Sequence, residues 1–113
     1  MKIFNKTKNT VIASNAAIAK SSFARMKGLL GREGLSSNEA LVILQCPCIH
    51  MFFMRFGIDV IFVDKYDKVV GLVEKIQPFQ FSPFFYSASY AIEVSEGTIH
   101  STQTAVGDEI KIL

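Results

Sequence analysis

The 113-residue chain has no tryptophan, only three prolines, two cysteines and two histidines. Two cysteines separated by Pro47 alone exclude a disulfide-stapled scaffold, because a bridge across one residue is strained and readily reduced. A reducing, cytoplasmic setting is therefore expected. No C-x-x-C pair is present, which removes the usual spacing of a structural zinc site. No apolar run approaches the roughly 18 residues of a membrane span, so a soluble protein with no membrane partner is expected. The stretch from Val11 to Ala19 is broken by Ser14 and Asn15. It lacks the roughly 7 to 15 continuous apolar residues of an export signal, although Ala17-Ile18-Ala19 imitates a cleavage site.

Acidic side chains are missing from the first 32 residues, which carry seven Lys or Arg; the remainder holds five bases and ten acids. The basic third (Lys2, Lys6, Lys8, Lys20, Arg25, Lys27, Arg32) has no interleaved aromatic pattern, recognition helix or glycine-rich phosphate loop. It is read as a solvated face, and no nucleic-acid partner is expected.

What the chain does have is core-forming material: half of it is hydrophobic, only 19% is charged, and it contains ten Phe. That composition argues for an ordered body, and the length for one domain spanning residues 1–113. Residues 2–4 and 10–19 read as strands joined by the polar turn Asn5-Lys6-Thr7-Lys8-Asn9. Ser21 and Ser22 can cap a helix whose apolar stripe is Phe23, Met26, Leu29 and Leu30, ended by Gly31. Ala40 to Leu44 is a continuous apolar run suited to a buried strand. Pro47 should interrupt pairing, which resumes near Ile49.

Ile58 to Val63 and Val69 to Ile76 form the clearest hairpin, around Lys65-Tyr66-Asp67-Lys68. Tyr90 to Val94 alternates, with Tyr90, Ile92 and Val94 on one face and Ala91 and Glu93 on the other. Thr98 to Ala105 is a short turn or helix, and Glu109 to Leu113 a last strand after Gly107-Asp108. The fold class is therefore mainly β: a single-domain β-sandwich or distorted barrel of about eight short strands, with one short helix near residues 21–31. Residues 77–89, with Phe79, Phe81, Phe84, Phe85 and Tyr86, are too apolar for an ordinary linker. They either cover an open end of the core or form a ligand or partner surface.

Most of the candidate chemistry lies between Cys46 and Asp64. Cys46, Cys48 and His50 stand at i, i+2 and i+4, which on an extended chain sends all three to one side. With Met51 or Met54 nearby, they are soft to borderline donors suited to Zn(II) or Cu(I). His50 with Asp59 can form an imidazole–carboxylate pair across the bend at Phe56-Gly57. Either cysteine would then complete a thiol–imidazole–carboxylate set. Against this stand two buried cysteines acting as small apolar residues, and an Asp59 that accepts backbone N–H groups or pairs with Arg25, Arg32 or Arg55. Glu93, on the minor face of its strand, is expected to be solvated unless folding brings it to a site.

Three segments carry a family resemblance. They are Arg25-Met26-Lys27-Gly28-Leu29-Leu30-Gly31-Arg32, the run from Ile49 to Asp64, and Ala91-Ile92-Glu93-Val94-Ser95-Glu96-Gly97 with Gly107-Asp108. In order and spacing they resemble the bacterial and archaeal family named domain of unknown function 192, over roughly residues 10 to 113. The resemblance implies a single mainly β domain and no particular reaction. This chain looks like the family's short form without an export signal. It has Met51 where many members carry Thr, and Phe53-Met54-Arg55 where one variant has Trp-Met-Lys.

The function expected is a non-enzymatic binding or accessory module. Its polar pocket would lie near His50, Asp59 and Glu93, with Met54 and an arginine from the Arg25 to Arg32 segment. The ligand is a small polar molecule or a protein partner, and no cofactor is required. The alternative is a metal-dependent or thiol-dependent enzyme, or a metal-handling protein, using Cys46, Cys48 and His50.

Overall fold

The structure, a computed structural model, describes residues 1–19, 29, 31–52 and 54–113. The helix expected near residues 21–31 lies almost wholly outside them. The described elements are β1 (Ile3–Asn5), β2 (Thr10–Ala13), β3 (Asn15–Ala19), β4 (Glu39–Leu44), β5 (Ile58–Asp64), β6 (Val69–Ile76), β7 (Ala88–Val94), the helix α1 (Thr98–Thr102) and β8 (Ile110–Ile112). The fold is mainly β, with eight strands in two sheets among the described residues. The small sheet has the order β2-β1-β8 and the large one β3-β4-β7-β5-β6. The radius of gyration is 12.4 Å, close to the roughly 13 Å of one compact domain of this length.

The stretch 10–19, expected as one strand, belongs to both sheets. It divides at Ser14, where the N–H groups of Ser14 and Asn15 both donate to the Asn38 carbonyl. β2 therefore pairs with β1 in the small sheet, while β3 runs parallel to β4, with Asn15 opposite Glu39 and Ala19 opposite Ile43. A parallel pair needs a crossover of about a dozen residues or more, and residues 20–38 supply it. The other described ladders are antiparallel.

The core has two parts because the large sheet is covered on both faces. Between the sheets lie Ile3, Ile12 and Ile110 of the small sheet, Val42, Ile61, Val63, Ile92 and Val94 of the large one, and Ile99 of α1. On the opposite face Ile43, Ile58, Val60, Phe62, Ile76 and Ala91 pack with Leu29, Ile49, Met51 and Met54 from the connecting segments. This explains why Ile58 to Val63 lacks alternation: six consecutive residues of β5 are buried, the pattern of a strand covered on both sides, and all but Asp59 are apolar. Each of these apolar side chains contributes about 1.5–3 kcal/mol of hydrophobic stabilisation.

Two irregular segments build the layer over the second face. Pairing fails after Leu44 and resumes past Pro47. The Ser82 N–H donates to the Ile49 carbonyl, the Met51 N–H to the Gln80 carbonyl and the Phe79 N–H to the Met51 carbonyl. A single bridge joins His50 and Phe81. Phe85 turns inward onto Phe62, with ring centroids 4.6 Å apart. Gly71 makes room for it, since a Cβ there would overlap the Phe85 ring.

Candidate functional site

The register of β5 and β7 decides where the two carboxylates of the expected pocket go. Asp59 stands opposite Val94, and Val60 opposite Glu93. Cross-strand partners share a face and successive residues alternate. Asp59 therefore belongs to the inter-sheet face of Val94 and Ile92, and Glu93 to the second face with Val60 and Ala91. A single pocket lined by both does not form; the sheet separates them.

Asp59 is fully buried. Its Oδ1 accepts the Lys75 N–H at 2.8 Å, and its Oδ2 accepts the N–H groups of Gly97 at 3.1 Å and Ile99 at 3.0 Å. The first of these bonds depends on a β-bulge. Ile58 pairs with Ile76 and Val60 with Val73, so Glu74 and Lys75 together face Asp59, and Lys75 adopts φ 54. The other two hold the start of α1, where Gly97 at φ 90 occupies a left-handed conformation that a side chain would strain. Of the two roles weighed for Asp59, the bonds describe acceptance of backbone N–H groups.

Glu93 has the opposite character. It is 5% exposed, and among the described residues its Oε1 has no hydrogen-bond partner. Its strand neighbours are Leu41 on β4 and Val60 on β5, and Met51 and Met54 pack on the same face. Burial pushes its carboxyl up to about 7, because little around it compensates the charged form. The expectation of a solvated Glu93 is overturned. Residues 45–52, 54–56 and 77–87 fold back over a face that alternation alone left open to water.

The other candidates are dispersed. The His50 side chain is exposed, with its ring 5.4 Å from that of Phe52. Met54 is buried in the second cluster. Arg32 pairs with Glu39 at 3.1 Å near the surface, where the Ser36 N–H and the Arg32 guanidinium hold the Glu39 carboxyl below its ordinary value. Arg25 lies outside the described residues. Arg55 reaches Glu33 at 3.7 Å, both exposed.

Cys46, Cys48 and His50 do not assemble as a ligand set. Among the described residues no group of three or more His, Cys, Asp or Glu side chains stands ready to hold a metal ion. The physical reason is local: the spacing points three donors one way only on a continuous strand, and the chain turns at Pro47. The Cys46 thiol donates to the Cys48 carbonyl at 3.2 Å within that turn. The cysteines are not joined in a disulfide.

Sequence reasoning missed two polar clusters. The Asp108 carboxylate accepts Asn5 Nδ2 at 2.9 Å, Lys8 Nζ at 2.8 Å and the Ala105 N–H at 2.9 Å, tying the first strand to the last turn. Gly107-Asp108 signals a turn in the sequence but carries no mark of these distant partners. The Tyr90 hydroxyl donates to Asp67 Oδ1 at 2.9 Å, and burial with that carboxylate raises the phenol well above its usual range.

Comparison with known proteins gives the same fold without a reaction. A "UPF0127 protein" of Thermococcus sibiricus is 37% identical, over 96% of this chain and 72% of its own length. A second, of Pyrococcus horikoshii, is 32% identical over 96% of each chain. Among solved structures, a protein of unknown function from Novosphingobium aromaticivorans superposes with a TM-score of 0.84 at 20% identity, covering 98% of this chain and 82% of that one. A putative transcription regulator from Sinorhizobium meliloti superposes with a TM-score of 0.80 at 14% identity, covering 97% and 89%. At such identities these two likenesses concern the fold. The family model of DUF192, described as "Uncharacterized ACR", matches residues 3–112, and the chain belongs to that family.

Proposed function

We propose that the protein is a non-enzymatic binding module that captures a small polar ligand through Glu93. The observation that carries this reading is the buried Glu93 carboxyl, whose Oε1 lacks a hydrogen-bond partner among the described residues. A buried carboxyl oxygen left without a partner costs stability that an apolar side chain of similar size would not. Such a group fits a ligand whose N–H or ammonium completes its bonding, with the apolar body of the ligand against the face of Leu41, Val60 and Met54. The ligand class is therefore a small amine or amidine with a short apolar portion.

Thermal-shift titration with a panel of small amines and guanidines, at a pH near 8 where the carboxyl is ionised, tests the reading. The expected outcome is stabilisation of the native protein that grows with ligand concentration and disappears in Glu93→Gln. Equal shifts in both proteins would mean that Glu93 takes no part.

A further inference from the structure

The connection from Gln77 to Ser87 does more than cover the core. Phe85 alone points inward, onto Phe62. Phe79, Phe81, Phe84 and Tyr86 point outward and are 62%, 65%, 51% and 87% exposed. Phe52, from the facing segment, joins them edge-on to Phe81 at 4.9 Å and lies 6.5 Å from Phe79. Phe84 and Tyr86 pair at 4.6 Å. This surface is braced rather than loose: Phe79, at φ 67, is held by its N–H bond of 2.7 Å to the Met51 carbonyl, and the Phe85 N–H bonds the Pro47 carbonyl at 2.7 Å. A bulky residue at positive φ persists only where its surroundings hold it there.

We infer that the Phe52, Phe79, Phe81, Phe84 and Tyr86 surface is the contact between two copies of this chain, which associate as a two-fold homodimer. At about 200 Å² per ring, these exposures leave roughly 600 Å² of aromatic surface open. Together the two ring groups, Phe52 with Phe79 and Phe81, and Phe84 with Tyr86, supply most of the roughly 800 Å² per partner of a standard interface. Charge selects the occupant. Residues 77–92 contain no Asp, Glu, Lys, Arg or His, and among the described residues His50, exposed beside Phe52, is the ionisable ring that touches the patch; the patch therefore offers no cluster of charge to a nucleic acid, an anionic lipid surface or a charged peptide. Two such surfaces meeting about a two-fold axis bring no like charges of this segment together. An isologous contact needs that self-compatibility.

Sedimentation equilibrium over a wide concentration range tests the assignment, with the native chain beside the double variant Phe81→Ser/Phe84→Ser. Both replaced rings are largely solvent-exposed, so folding, checked by circular dichroism, is retained. The expected result is a monomer–dimer equilibrium in the native chain that persists in about 1 M salt, where exposed charge contacts are screened. The double variant should dissociate at least tenfold more readily. Three results overturn the proposal: a native chain that stays monomeric at the highest attainable concentration, a dimer unchanged by the double replacement, or a monomer that instead binds neutral phosphatidylcholine vesicles through these rings. Should the double variant unfold, Tyr86→Ser, the most exposed position, supplies the same comparison.

Discussion

Asp59 and Glu93 lie on adjacent strands one register step apart, yet they occupy opposite faces of the large sheet: Asp59 sits opposite Val94, and Glu93 opposite Val60. One carboxylate is saturated by three backbone N–H groups. The other is buried with Oε1 unbonded among the described residues. The first is built to hold the fold, and the second stands at a cost to it.

That difference sets the pH dependence of stability. An unfolded Glu93 gives up its proton near 4.5, whereas the folded protein keeps it to about 7. Between those values the folded state binds more protons, so stability falls as pH rises and levels off above the upper one. The loss amounts to about 3 kcal/mol. Asp108 acts in the opposite sense. Desolvation opposes its charge, but the bonds from Asn5, Lys8 and Ala105 prevail and hold its carboxyl below 3.8. Its contribution is present above that value and is lost as pH falls through the folded pKa. Urea unfolding across pH should therefore show greatest stability near pH 4 to 5. Glu93→Gln should flatten the decline toward pH 8, and an unchanged slope in that variant would remove Glu93 as its cause.

Replacing Asp59 by Ala leaves the N–H groups of Lys75, Gly97 and Ile99 without their acceptor. At about 1–3 kcal/mol for each buried group left unbonded, the expected loss is at least about 3 kcal/mol by chemical denaturation. Hydrogen exchange at Gly97 and Ile99 should accelerate with it. A variant within about 0.5 kcal/mol of the native chain would show that water reaches these groups freely.

Phe85 and Gly71 form a ring-and-socket pair at the edge of the core, with Phe85 partly buried. Phe85→Ala should cost about 2–3 kcal/mol, less than the roughly 3–5 kcal/mol for emptying a fully buried aromatic site, because the ring is partly exposed. Gly71→Ala should cost about 1–3 kcal/mol by overpacking against the same ring. In the double variant the methyl introduced at position 71 no longer meets the ring, so the loss should fall short of the sum, as a double-mutant cycle will show. Additive losses would mean that the two sites do not communicate.

Much of this architecture was legible in the chain itself. Turn residues at Asp67 and Gly107, the apolar runs Ala40–Leu44 and Ile58–Val63 and the alternation at Tyr90–Val94 place the strands, because backbone geometry and solvent exclusion act locally at each of them. The motif segments around His50, Glu93 and Arg32 point to the family. Pro47 marks where the ladder breaks, because it has no N–H to donate.

Partnership between distant residues was decided only by the tertiary structure. Ser14 divides one apparent strand between two sheets because Asn38 supplies the acceptor for its N–H, and nothing near Ser14 in sequence encodes that. Cys46, Cys48 and His50 read as a ligand set on an extended chain, but the turn at Pro47 points the Cys46 thiol at a backbone carbonyl instead. Alternation assigned Glu93 to the second face of β7 but could not say whether water or protein would cover it. Two connecting segments, one leading straight into β7 and the other far upstream of it, close over that face, and their packing turns an ordinary surface carboxylate into a buried acid that holds its proton to about 7.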